Sequence, residues 1–293
     1  MNSQLSERIR RSSADFSKGQ KQIARFIEEY PDRVAFMTAS RLGATVGVSE
    51  STVVRFATEI GYSGYPALQQ AMQEMIRSKL TSLQRLQMSI EQFDRDKILE
   101  TVLDKDSAVV RRTKENIDRE AFYRAVQALV PVKKVYVLGA GSSLALATFL
   151  SHYFELIFES VHLIEATGEA RIYQQMVSAD QNDAIIAISF PRYSKKAVKA
   201  LDFAKDLGAV SIAITDTESS PLARHASHVL LAKSEMVSFV DSLVGPLSLI
   251  NALIVALSIE KQKEVSSTLN RIERIWDEYG VYEKVDEEPG DGV

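Results

Sequence analysis

The chain of 293 residues carries no cysteine, 45% hydrophobic residues and a formal net charge of −4. These values exclude disulfide and thiolate chemistry and an overall basic nucleic-acid coat, and they leave room for two ordinary cores. The charge is uneven: residues 1–80 hold 11 Lys and Arg against 8 Asp and Glu, and the remainder holds 24 against 31. A mildly basic first domain on an acidic body is compatible with local contact to DNA.

The first stretch, MNSQLSERIRRSSADFSKGQ, has basic residues with no apolar run behind them, so it is not read as a secretory signal. From Ser17 on, five helices with tight turns are predicted within residues 1–80. Ile23, Phe26, Ile27 and Tyr30 mark the first, with Ser17 as its N-cap. Pro31 redirects the chain and Thr38 caps TASRLGATVG. Gly47 breaks that pattern, Ser49 caps the next helix, and another follows Pro66. The core stripe is expected to be Leu42, Val46, Val48, Val53, Phe56 and Ile60. Residues 81–124 read as a charged helical connector whose apolar positions could serve a dimer.

From Pro131 the period changes. Short β-branched runs (KKVYVLGAG, VHLIEA, DAIIAISF, AVSIAITD, HVLLAK) alternate with helical segments, among them SSLALATFLSHYFELIF, EARIYQQMVSA, SKKAVKALDFAKDLG and PLARHAS. Strands apolar on both faces, separated by helices, predict an α/β domain over 125–265 with a parallel sheet covered on both sides. The run from Leu243 to Ile259 approaches membrane-spanning length, but it contains Pro246 and Asn251 and reads as a buried core helix. A C-terminal helix and an acidic tail, DEEPGDGV, are expected over 266–293, the tail disordered.

Three stretches carry chemistry. In LGATVGVSESTVVRFATEIGY, two short helices joined at Gly47 have the proportions of a helix-turn-helix. Val53 and Phe56 would face the core, which leaves Ser49, Glu50, Ser51, Thr52 and Arg55 facing out. Small hydroxyls allow close approach to a major groove, and Arg55 can reach a guanine edge or a phosphate. The pattern alone equally allows a capped helix with a solvated face.

In VYVLGAGSSLALATFL, Gly139, Gly141, Ser142 and Ser143 lie between a strand and a helix. Glycines let the backbone approach a ligand, and a helix N-terminus favours an anion, so this stretch suits a phosphate. A dinucleotide site would want a third glycine where Leu144 stands, although Glu165 ends the next strand as that reading requires. A plain structural turn is the third reading. In IIAISFPRYSKKAV, Ser189 ends a strand and Ser194 opens a helix, with Arg192 between them. With strand order 2-1-3-4-5, both serine-bearing loops would face one crevice at the point where strand order reverses.

Residues 16–80 resemble the N-terminal domain of the RpiR (MurR/RpiR) family of bacterial transcription regulators. The resemblance is carried by KQIARFIEEYPDRVAFMTASRLGATVGVSESTVVRFATEIGYSGYPALQQAM, most specifically by VSESTVVRF and GYSGYPALQ. Residues 125–265 resemble a SIS (sugar isomerase) domain through GAGSS and the Ser189 to Ser194 loop. Two positions depart from the pattern. Gly43 stands where the family more often has alanine, at a propensity cost of ~1 kcal/mol. Pro191 and Arg192 replace the middle serine and the glycine of the usual Ser-x-Ser-Gly-x-Thr loop, so a hydroxyl is lost and a guanidinium gained.

The resemblance implies an all-α helix-turn-helix domain joined to a SIS-type α/β domain with a five-stranded parallel sheet. It implies a cytoplasmic homodimer or homotetramer that binds double-stranded operator DNA through Ser49, Glu50, Ser51, Thr52 and Arg55. A phosphorylated sugar or sugar acid would be sensed through Gly139, Gly141, Ser142, Ser143, Ser189, Arg192 and Ser194. No cofactor, metal, membrane or catalytic residue is expected. His152, His162, His225 and His228 form no catalytic spacing, and RHASH lacks a third metal ligand. The alternatives are a phosphosugar isomerase with an accessory helical domain and a regulator responding to a dinucleotide.

Overall fold

The computed structural model describes residues 3–76, 80–165 and 167–282. The chain divides into two compact units, Met1–Thr101 with Met236–Val240, and Val102–Glu235 with Asp241–Val293.

The first unit is helical: α1 Ser3–Ser12, α2 Lys18–Glu29, α3 Pro31–Val34, α4 Ala39–Val46, α5 Glu50–Glu59, α6 Tyr65–Ile76 and α7 Ser82–Gln92, then a single 3-10 turn at Arg95–Lys97. Its caps follow from small polar residues at the starts. Ser17 and Gln20 form a reciprocal capping box on α2, and Thr38 and Ser49 accept from the third amides of α4 and α5. Gly47 ends α4 in the left-handed region at φ 77°. Leu42, Val53, Phe56 and Ile60 are buried, and Val46 and Val48 pack against the same core at its edge. Burial pushes the Tyr65 hydroxyl up to about 12, and it donates to the Met37 carbonyl at 2.7 Å, tying α6 to the α3–α4 junction. Helix α1 was not foreseen, because only Leu5 and Ile9, one turn apart, mark its apolar face. Arg8 fastens it by donating to the Gly61 carbonyl at 2.8 Å while lying over the Tyr62 ring.

Helix α8, Ile98–Asn116, leads into the second unit: α9 Arg119–Leu129, β1 Lys134–Gly139, α10 Ser143–Phe154, β2 Ser160–Leu163, α11 Glu169–Met176, β3 Ala184–Ile188, α12 Lys195–Asp206, β4 Val210–Thr215, β5 His228–Leu231, α13 Val244–Glu260 and α14 Gln262–Tyr279. The five strands form one all-parallel sheet in the order β2-β1-β3-β4-β5, the expected class and topology. Alternate residues of the central strands enter two separate apolar layers. Val135, Val137, Ile186 and Ile212 join α9, α10 and α13, whereas Tyr136, Leu138, Ile185 and Ala213 join α11 and α12. That two-sided burial is why these runs read as continuously apolar.

One expectation needs correction. PLARHAS forms turns rather than a helix. The segment is short, and Ser220 accepts from the Ala223 amide while Leu222 fills the core beneath it. Phe122, Ala125, Val126 and Leu129 of α9 are buried in the core on one face of the sheet. Among the described residues, no single helix is long and apolar enough to cross a membrane. The segment DEEPGDGV lies outside the described residues.

Candidate functional site

The first candidate surface is the N-terminal turn of α5. Ser49, Glu50, Ser51 and Arg55 are exposed and Thr52 is half-buried. The hydroxyls form a small network: Ser49 Oγ lies 2.9 Å from Ser51 Oγ and 2.8 Å from Thr52 Oγ1, and accepts from the Thr52 amide. Ser49 is therefore a cap and an exposed polar group at once. Val53, Phe56 and Ala57 anchor the opposite side of the helix with no exposure. The half-burial of Thr52 has a local cause. A side-chain carbon at Gly19, on α2, would lie 3.0 Å from Val48 Cγ1 and 3.7 Å from Thr52 Cγ2. The missing Gly19 side chain lets α2 sit against the start of α5.

The second candidate site lies at the carboxyl ends of β1 and β3. These strands are neighbours, with Gly139 opposite Ile188. The chain leaves β1 toward β2 on one side and β3 on the other, so the strand order reverses between them. The loop after β1, with Gly139, Gly141, Ser142 and Ser143, and the loop after β3, with Ser189, Arg192 and Ser194, therefore leave neighbouring strands at the same end of the sheet.

The β1 loop is shaped by its glycines. A β-carbon at Gly139 would stand 2.3 Å from the Ser143 carbonyl oxygen and 2.9 Å from Ala147 Cβ. Gly141 adopts φ 61°, a region glycine enters without strain. Ser142 is exposed, Ser143 is buried, and no side chain caps the first turn of α10. The second loop is closed by its own serines. The Ser194 amide donates to Ser189 Oγ at 3.0 Å, and Ser194 Oγ accepts from the Ala197 amide as the N-cap of α12. Ser189 is only 4% exposed, so its hydroxyl first serves the loop.

Arg192 occupies φ 68°, the only positive φ of a non-glycine among the described residues. The backbone is thus left-handed at a position where the usual loop has glycine, and a side chain there costs ~1–2 kcal/mol. Sequence reasoning also missed Asp216, after β4, which accepts from the Tyr193 hydroxyl at 2.8 Å and from Thr215 Oγ1 at 3.3 Å. The signal was available: an acid directly after the buried strand AVSIAIT, beside a loop carrying a tyrosine. Among the described residues, no cluster of His, Cys, Asp and Glu is placed to hold a metal.

Comparison with known proteins fits both regions. Residues 3–79 match the model of the helix-turn-helix domain of the rpiR family, and residues 128–256 match that of the SIS domain. An HTH-type transcriptional regulator of Caldanaerobacter subterraneus subsp. tengcongensis is 25% identical over 264 residues, 88% of this chain and 91% of its own. The sugar isomerase domain of an RpiR transcription factor from Sphaerobacter thermophilus superposes with a TM-score of 0.58 at 28% identity, covering 61% of this chain and 99% of that one. The Vibrio vulnificus NanR protein, solved in complex with ManNAc-6P, superposes over 94% of this chain and 98% of its own with a TM-score of 0.57, at 21% identity. With an rpiR-type helix-turn-helix domain followed by a SIS domain on a five-stranded parallel sheet, this chain belongs to the RpiR family of transcriptional regulators.

Proposed function

We propose that the chain binds double-stranded operator DNA as a homo-oligomer through Ser49, Glu50, Ser51, Thr52 and Arg55, and senses a phosphorylated sugar or sugar acid between the loops after β1 and β3. The observation that supports the effector half is that the two loops leave neighbouring strands at the strand-order reversal, with no side chain capping the start of α10. An α-helix N-terminus carries a positive partial charge, which suits a phosphate. That NanR binds a sugar phosphate supports the same class of ligand here. Arg192 adds a fork of donors suited to a phosphate or carboxylate. The protein acts as a sensor without turnover. Effector binding shifts the population of conformers that differ in DNA affinity, a coupling of typically 1–3 kcal/mol.

Two sets of variants separate the halves. Arg55→Ala is expected to lower operator discrimination by ~1–3 kcal/mol while sparing effector affinity. Ser142→Ala with Ser143→Ala is expected to spare DNA binding and abolish the effector response. Fluorescence anisotropy on labelled duplex from the gene's own promoter region, with a panel of sugar phosphates, reads both. Loss of both functions in either variant would mean misfolding or a wrong assignment.

Arg192→Gly supplies a milder probe. Glycine accepts φ 68° freely, so the loop is expected to keep its course while the guanidinium is lost. Effector affinity, measured by calorimetry, is expected to fall at least tenfold, with the melting temperature at or slightly above the wild-type value. Unaltered affinity would remove Arg192 from the site.

A further inference from the structure

We propose that the outer face of α2 is a second nucleic-acid contact, holding the phosphate backbone of duplex DNA beside the groove that α5 enters. The proposal rests on the DNA-binding reading of α5.

The placement comes from Gly19. That residue packs on Val48 and Thr52, so the first turn of α2 adjoins the hydroxyl-bearing turn of α5. Gln22 stands one turn above Gly19. Lys18, Lys21, Gln22 and Arg25 follow the i, i+3, i+4, i+7 spacing of one helix face, and all four are exposed. They line a shallow groove of about 420 Å³. A second groove of about 600 Å³, between α1 and α2, continues the surface and adds Arg10 and Ser13 beside Lys21 and Arg25. Glu28 lies at the far end of this second groove, and Glu7, which also lines it, is paired with Arg11. Among the described residues, no salt bridge uses Lys18, Lys21 or Arg25.

The charge order along α2 argues for an external partner. A helix is stabilised by acids in its first turn and bases in its last. Helix α2 reverses this, with no acid in the first turn, no base in the last, Lys18 and Lys21 near its start and Glu28 and Glu29 at its end. That order weakens the isolated helix, so helix stability does not explain it. It does gather positive charge at the end nearest α5, where the helix dipole adds to the attraction for phosphate. The span from Lys18 to Arg25 is ~10 Å at 1.5 Å per residue. Successive phosphates of one strand advance by ~3.4 Å along the duplex axis, so the three cations match a run of backbone rather than one isolated anion.

Backbone contacts position a protein and carry no sequence information. Lys18→Gln, Lys21→Gln, Arg25→Gln is therefore expected to weaken binding to operator duplex and to a scrambled duplex by the same factor. The slope of log affinity against log salt is expected to become shallower by about 2–3, near 0.9 per lost phosphate contact. Anisotropy titrations of the full chain across salt concentrations measure this, with circular dichroism checking the fold. If the triple variant folds poorly, Lys21→Gln alone is expected to shift the slope by about 0.9. An unchanged slope in a folded variant overturns the proposal and leaves the role of α5 standing. Equal binding of wild-type protein to operator and scrambled duplex would remove the α5 reading, and the proposal with it. Loss confined to operator duplex would also overturn it, since that pattern marks base readout.

Discussion

Gly139→Ala is expected to destabilise the protein by ~3 kcal/mol and to abolish its response to effector. The added β-carbon would meet the Ser143 carbonyl oxygen at 2.3 Å, the Ser143 carbonyl carbon at 2.7 Å and Ala147 Cβ at 2.9 Å. Two of these atoms belong to the backbone of the first turn of α10, so rotating a side chain cannot relieve the overlap. Either β1 or the start of α10 must move. Overpacking usually costs ~1–3 kcal/mol, and a clash with backbone belongs at the upper end. The displaced turn is the one proposed to face phosphate, so stability and sensing should fall together. Thermal unfolding by circular dichroism and anisotropy with added sugar phosphates test the two halves. A melting temperature at the wild-type value would show that the close approach of β1 and α10 is not needed.

Gly43→Ala is expected to reduce operator affinity at least tenfold and to lower stability. Helix propensity alone predicts the reverse, a gain of ~1 kcal/mol. The structure reverses the sign. A β-carbon at Gly43 would stand 2.7 Å from the Val48 carbonyl oxygen, 3.3 Å from the Ser49 carbonyl carbon and 3.4 Å from the Glu50 amide nitrogen. The Gly43 carbonyl also accepts from the Val48 amide at 2.9 Å, so α4 and the turn are already in close contact. Space for alanine could come only by pushing the Val48 to Glu50 backbone outward, which tilts the first turn of α5. Groove-reading side chains depend on sub-ångström placement, so the loss should appear in specific binding more than in binding to scrambled DNA. Anisotropy on both duplexes decides, with urea unfolding for the stability change. A variant more stable than wild type with normal operator affinity would show that the turn can move aside.

These glycines mark where sequence reasoning stopped. The strands were legible because both faces are buried, so VYVL, AIIAI and SIAIT advertise themselves without alternation. The caps were legible because Ser17, Thr38 and Ser49 act on amides three residues away. Helix propensity makes Gly43 a mild weakness of its own helix, whereas its neighbours are the residues of the following turn. At Arg192 the sequence shows that glycine is replaced, and only the fold shows that the backbone there is left-handed. Lys18, Lys21 and Arg25 contribute only charge to the sequence pattern, and the closeness of the first turn of α2 to α5 depends on the fit of Gly19 against Val48. Helix α1 has two buried apolar residues, too few for its period to stand out. In each case the missing fact is a contact between residues distant in sequence or a dihedral angle, and neither is encoded in spacing.

The bond from the Ser194 amide to Ser189 Oγ has a further consequence. It closes the six-residue segment after β3 on itself, using only groups of that segment. Fixing the backbone of one free residue costs ~1–2 kcal/mol of conformational entropy. Under the proposed function, much of that cost is met when the chain folds, so an arriving sugar phosphate would meet a rigid wall. Affinity would then depend on fit, and analogues differing by one hydroxyl would be separated sharply, because a rigid wall cannot rearrange around the wrong one.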